Sequence, residues 1–133
     1  LGIIITATVF VSGLKALGLI DIFIDIIISN PSLAGIGATL GPFFLSIMTG
    51  SGDAASFTFN EIITFHANTF GMSIENMGSL IVLSGAIGRT MSPLAGAAII
   101  CAGFAKVSTI DVVKRTSFGM VLALITVYII LAI

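Results

Sequence analysis

An arginine stands near the centre of an otherwise uncharged apolar segment, and a helix breaker follows it. The segment runs from Gly78 to Gly103, GSLIVLSGAIGRTMSPLAGAAIICAG, with Arg89 as its only charge and Pro93 four residues on. A mid-membrane arginine costs at least about 2.5–3.5 kcal/mol on insertion scales, so it faces protein or a water-filled cavity rather than lipid. Ser92 followed by Pro93 is a helix-start signal, serine suiting the N-cap and proline the first helical position. The spacing therefore predicts a broken helix over 78–104, its second half starting at Ser92. The free N–H groups and positive dipole end of that half would lie near mid-membrane, where they suit an anion. If the helix runs through instead, Pro93 still deprives the Arg89 carbonyl of its partner. Two readings follow: recognition of an anion, or a structural kink in which Arg89 pairs with a carboxylate.

Composition fixes the solvent. The chain is 57% hydrophobic and 8% charged, with mean hydropathy +1.24. A soluble domain carries about 25% charged residues, so this is an integral membrane chain with lipid around it. A net charge of −1 gives a nucleic-acid partner no electrostatic support. Fifteen glycines suit close helix packing in lipid. Cys101, the one cysteine, can form no internal disulfide and reads as a small buried hydrophobe. No HExxH, CxxC, nucleotide-binding glycine motif, GxSxG or metal-ligand cluster is present, so neither an enzyme nor a cofactor is expected. The chain begins at Leu1 without a basic n-region, which predicts a piece of a longer protein rather than a signal peptide.

Along the chain, 1–18 reads as a span with Lys15 near its end. Residues 19–29, carrying Asp21 and Asp25 on one face, read as an interfacial helix. Asn30-Pro31-Ser32 starts a new element, and 33–72 reads as a hairpin. Its first arm, Leu33 to Met48, spans 16 residues, about 24 Å against a hydrocarbon core of roughly 30 Å. Pro42 is expected to kink it. The second arm is expected from about Ala55 to Met72. Glu75 and Asn76 mark a surface loop, Lys106 to Arg115 the most basic loop, and 116–133 a final span. The positive-inside rule puts the basic loop in the cytoplasm. The C-terminus and the Glu75 loop are then external, and the hairpin enters and leaves from that side. Two full spans or a re-entrant pair satisfy this equally. The short first arm and glycine-rich tip favour re-entrant, with its irregular backbone covered by protein or water.

The tip is Gly50-Ser51-Gly52-Asp53. Glycine permits the tight turn, and Ser51 and Asp53 can cap the helix that follows. Two half-helix N-termini meeting near the midplane is the layout of a secondary-transporter site for an anionic substrate. The bland alternative is an exposed loop with a solvated Asp53. Asp53 has two candidate roles, ion-pair partner of Arg89 or proton carrier. Glu61 and His66 do not share a helix face, and His66 is expected as a satisfied packing residue. Asn60 and Asn68 are expected to hydrogen-bond between helices. Phe57, Phe59, Phe65 and Phe70 read as packing or lipid-facing material.

GSGDAASFTFNEI, followed by SGAIGRTMSPLAGAAIICAGFAKVSTIDVVKRT, resembles the C-terminal half of the anaerobic C4-dicarboxylate carrier family, DcuC, of the ion transporter superfamily. The similarity covers essentially the whole chain. The resemblance implies an all-α integral membrane fold with a re-entrant hairpin and a discontinuous helix, one half of an inverted-repeat transporter. It implies a missing N-terminal repeat of the same protein, a homodimer, and a multi-pass place in a bacterial inner membrane. The implied activity is exchange or efflux of succinate, fumarate or malate during anaerobic growth. Ser51, Gly52 and Asp53 match the superfamily's hairpin tip, and Arg89, Thr90 and Ser92 match the break in its discontinuous helix. Sodium-coupled members carry a Ser-Asn-Thr type tip, whereas this chain has Ser-Gly-Asp. That puts sodium coordination in doubt and leaves the coupling ion open between proton and sodium. A carrier of amino acids or another organic anion is the alternative. A non-transport membrane subunit or membrane-embedded enzyme is the second.

Overall fold

The computed structural model describes residues 33–132, with 5, 9, 12, 13, 16–18, 22, 25, 26, 29 and 30 before them. The span expected over 1–18, the interfacial helix over 19–29 and the Asn30-Pro31-Ser32 start lie largely outside the described residues. Among the described residues every regular element is helical: α1 Ala34–Thr49, α2 Gly52–Ile63, a 3-10 stretch Thr64–Phe70, α3 Ile74–Thr90, α4 Gly96–Ala105 and α5 Thr109–Ala132.

Local chemistry explains the boundaries. α1 continues through Pro42, whose side chain is fully buried. It stops at Gly50, which takes φ 71° and returns its N–H to the Ser46 carbonyl at 2.8 Å, a left-handed cap that glycine adopts without Cβ strain. Ser51 then extends, and its hydroxyl accepts the Ala54 N–H at 3.3 Å to start α2. The second arm was expected to stay α-helical to Met72, but it tightens to 3-10 geometry at Thr64. Its sequence TFHANTF is made largely of weak helix formers, which hold the wider α-turn poorly. Ser73 caps α3 through the Asn76 N–H at 3.1 Å, with Glu75 in the first turn.

Helix α3 packs against α1 and α2 together, and α5 lies against α3, α1 and α4. Away from the tip the packing is apolar: Ala38, Ile62, Ile63, Ala67, Met77, Leu80 and Ile81 form the core, with Val127 and Leu131 of α5 against it. At the tip it is backbone against backbone. A Cβ on Gly52 would lie 2.8 Å from the Gly85 carbonyl oxygen, and one on Gly85 would lie 2.9 Å from that of Gly52. One on Gly88 would strike the Phe43 carbonyl. Small residues let helices approach this closely in lipid.

Helix α5 is the one helix among the described residues long and apolar enough to cross a membrane, over Thr109–Leu131. Only 6% of its apolar window is buried within the chain, so it is not the covered core helix of a soluble domain. α1 and α4 are apolar but have 16 and 10 residues.

Candidate functional site

Three helix ends converge where α3 stops. The main chain beyond Thr90 makes two tight turns, Ser92 N–H to the Arg89 carbonyl at 3.1 Å and Ala95 N–H to the Ser92 carbonyl at 3.2 Å. Helix resumes at Gly96, with Ala95 in the N-cap position and no side chain capping it. This corrects the expected start at Ser92. The Ser92 hydroxyl is buried and donates to the Ile47 carbonyl at 2.7 Å while accepting the Leu94 N–H at 3.2 Å. Ile47 lies in the last turn of α1, where carbonyls lack helical partners. The serine thus serves a neighbouring helix and leaves the α4 N-terminus uncapped. Gly50 closes the same joint: a Cβ there would lie 3.0 Å from the Leu94 main chain.

A cavity of about 580 Å³ opens between α2 from Gly52 to Asn60, the C-terminal part of α3 from Val82 to Thr90, and the stretch from Ala95 to Cys101 that begins α4. Of the sequence-predicted residues, Gly52, Asp53, Arg89 and Thr90 lie on its wall. Ser51 and Ser92 do not; the first caps α2 and the second ties α1 to the break. Asp53 and Arg89 are exposed and share the cavity, yet among the described residues neither side chain makes a hydrogen bond or ion pair. The Asp53–Arg89 pair, one of the two candidate roles of Asp53, is therefore not formed in this structure. Thr90 donates its hydroxyl to the Ile87 carbonyl at 2.6 Å, so it faces the cavity with an acceptor oxygen.

The cavity carries charge of both signs, Arg89 and Asp53 on its wall with two helix N-termini beside them. The N-termini of α2 and α4 bring partial positive charge and unbonded N–H groups, and Ala97 and Ala98 of α4's first turn line the cavity. Arg89 sits in the last turn of α3, where the negative dipole end favours a cation. Its guanidinium offers a fixed fork of donors matched to a carboxylate. Among the described residues no cluster of three or more His, Cys, Asp or Glu could hold a metal ion.

Some wall residues escaped the reading of the sequence. Ser56 and Asn60 line the cavity below Asp53; the polar recurrence 53, 56, 60 along one helix face was the signal that could have found them. Asn60, expected to bond between helices, accepts instead from Thr64 Oγ1 at 2.7 Å within its own arm. Cys101, expected to be buried, is exposed on the cavity wall. His66, expected to be satisfied, keeps its Nδ1 buried without a hydrogen-bond partner among the described residues, and Glu61 is exposed.

Comparison with known proteins identifies the family. The profile of the C4-dicarboxylate anaerobic carrier family, DcuC, matches residues 1–133. An uncharacterized transporter of Haemophilus influenzae is 49% identical over 125 residues, covering 94% of this chain and 45% of that protein. The anaerobic C4-dicarboxylate transporter DcuC of Escherichia coli K12 is 32% identical over 128 residues, 94% of this chain and 28% of its own length. The chain thus spans less than half the length of these relatives. No solved structure matches it significantly. The family and these relatives are transporters, not enzymes. The all-helical fold, the apolar surface and the match along the entire chain agree: the chain belongs to the C4-dicarboxylate anaerobic carrier family.

Proposed function

We propose that this chain is the C-terminal repeat of a secondary transporter that exchanges C4-dicarboxylates, succinate, fumarate and malate, across a bacterial inner membrane. The single observation that carries the reading is Arg89, without an ion pair among the described residues, on the wall of a cavity that two helix N-termini also line. An arginine at membrane depth is tolerated when a ligand or cavity receives it. Here Arg89 takes one carboxylate in a bidentate contact, and the uncapped N–H groups of α4 and the first turn of α2 take the other. α1, with 16 residues, reaches only about 24 Å at 1.5 Å per residue, while the second arm continues from α2 through the 3-10 stretch to Phe70. The short first arm supports a re-entrant hairpin, with α3 and α4 as the two arms of a discontinuous helix.

In this reading the N-terminal repeat supplies the other half of the site, and the whole protein is a multi-pass homodimer. Alternating exposure of the site to each side moves the substrate. Asp53 on the same wall repels a dianion unless it carries a proton, which favours proton over sodium coupling.

The test is succinate–fumarate counterflow in proteoliposomes holding the full-length parent beside its Arg89→Ala form. We expect exchange in the parent and a loss of at least about a hundredfold in the variant, with the fold kept, because a charge-assisted bidentate contact is removed. Unchanged exchange in a well-expressed variant would reject Arg89 as the anchor. No exchange in the parent under a proton or sodium gradient would turn the reading to an amino acid or another organic anion.

A further inference from the structure

The cavity at the break is one end of a longer groove. A second depression, about 620 Å³, lies further along α2 and α3, and the two share Asn60 and Val82 as walls. On α3 the residues lining them include Glu75, Ser79, Val82, Ala86 and Arg89, which recur every three or four positions and so form one stripe of one helix face. Its ends are fourteen residues apart, roughly 21 Å along the axis.

Asn60 stands at the waist where the two depressions meet. Its Oδ1 accepts from Thr64 Oγ1 at 2.7 Å. The same oxygen would lie 3.4 Å from a Cβ on Gly78, so the absence of a side chain there leaves it room. With the acceptor engaged, the free end of Asn60 is its NH₂ group, two donors and no charge. A neutral donor can meet an anion briefly without trapping it, which passage through several weak sites requires. A lysine at the waist would hold a dianion, and an aspartate would repel it.

Building on the carrier reading above, we propose that this stripe is the path along which the dianion moves between the Arg89 site and the open groove at Ser79, short of the Glu75 carboxylate, and that Asn60 is its specificity-determining contact. The test uses the full-length protein in proteoliposomes with labelled succinate. Asn60→Asp preserves shape and the Thr64 bond but replaces both donors with a negative charge. Exchange should fall at least about tenfold and by more than equilibrium affinity for succinate does, because Asn60 lines both depressions and like-charge repulsion then acts along the path as well as at the Arg89 cavity. An unchanged rate overturns the proposal. So does an equal loss of rate and affinity, which would confine the effect of Asn60 to the Arg89 cavity or the fold.

A second arm needs no transport. In a Cys101→Ser background, Ser79→Cys should react with a membrane-impermeant charged thiol reagent, since a thiolate forms only where water reaches. Ser84→Cys, at a fully buried position, should not. An unreactive Ser79→Cys would mean that the stripe is dry and would overturn the path. Absence of succinate binding and exchange in the unmutated parent would instead sink the carrier reading, and the thiol arm would still decide whether the groove is wet.

Discussion

The two ends of the α1–α2–α3 assembly are held by different means. Away from the tip, Ile62, Met77, Leu80 and Ile81 interlock as bulky apolar side chains. At the tip, Gly52, Gly85 and Gly88 bring main chains into contact, and the buried side chains include Ser46, Ser84 and Ser92. The apolar end resists change because removed volume is not refilled. The tip resists because there is no volume to add and because the buried Ser92 hydroxyl and the Ile47 carbonyl are each other's partners. A site that offers main-chain N–H groups to a ligand needs the second kind of packing, since bulky side chains would cover them.

Substitutions can break that comparison, and the largest effect belongs to the apolar end. Leu80→Ala should destabilise the full-length parent by about 2–5 kcal/mol, read as a lower melting temperature in detergent. Gly85→Ala adds a single carbon, yet it meets the Ser56 hydroxyl and the Gly52 carbonyl and should cost about 1–3 kcal/mol. A Gly85→Ala protein that melts with the parent would show that the tip is loosely packed and erase the contrast. Ser92→Ala should cost roughly 1–3 kcal/mol by leaving the Ile47 carbonyl without its donor, and should lower exchange more than its stability loss alone accounts for. Equal melting and equal exchange would remove the hydroxyl from the joint. Asp53→Asn, exposed and unbonded among the described residues, should leave melting unchanged and alter the pH dependence of exchange. An identical pH profile would remove Asp53 as proton carrier.

What could be read in advance follows from the range of the forces involved. The turn at Gly50-Ser51 was legible because its cap bonds close within four residues. The interruption after Arg89 was legible because proline and a lone charge act locally. The role of Ser92 was not, because its hydroxyl bonds a carbonyl forty-five residues away. A glycine count likewise signals close packing without revealing that Gly52 faces Gly85, which depends on helix register. Cys101 was misjudged by apolarity alone: in a chain surrounded by lipid, an apolar residue carries no instruction to be inside.

The bond from Ser92 to Ile47 and the seat of Gly50 on the Leu94 main chain also have a mechanical meaning. They rivet the hairpin tip to the interruption of the neighbouring helix. In the re-entrant arrangement proposed above, prising the two apart would strand a carbonyl and a hydroxyl in a medium that offers no replacement. On the carrier reading proposed above, a swing that turns the Arg89 cavity from one side of the bilayer to the other carries tip and interruption as a single rigid piece, with the hinge at its perimeter.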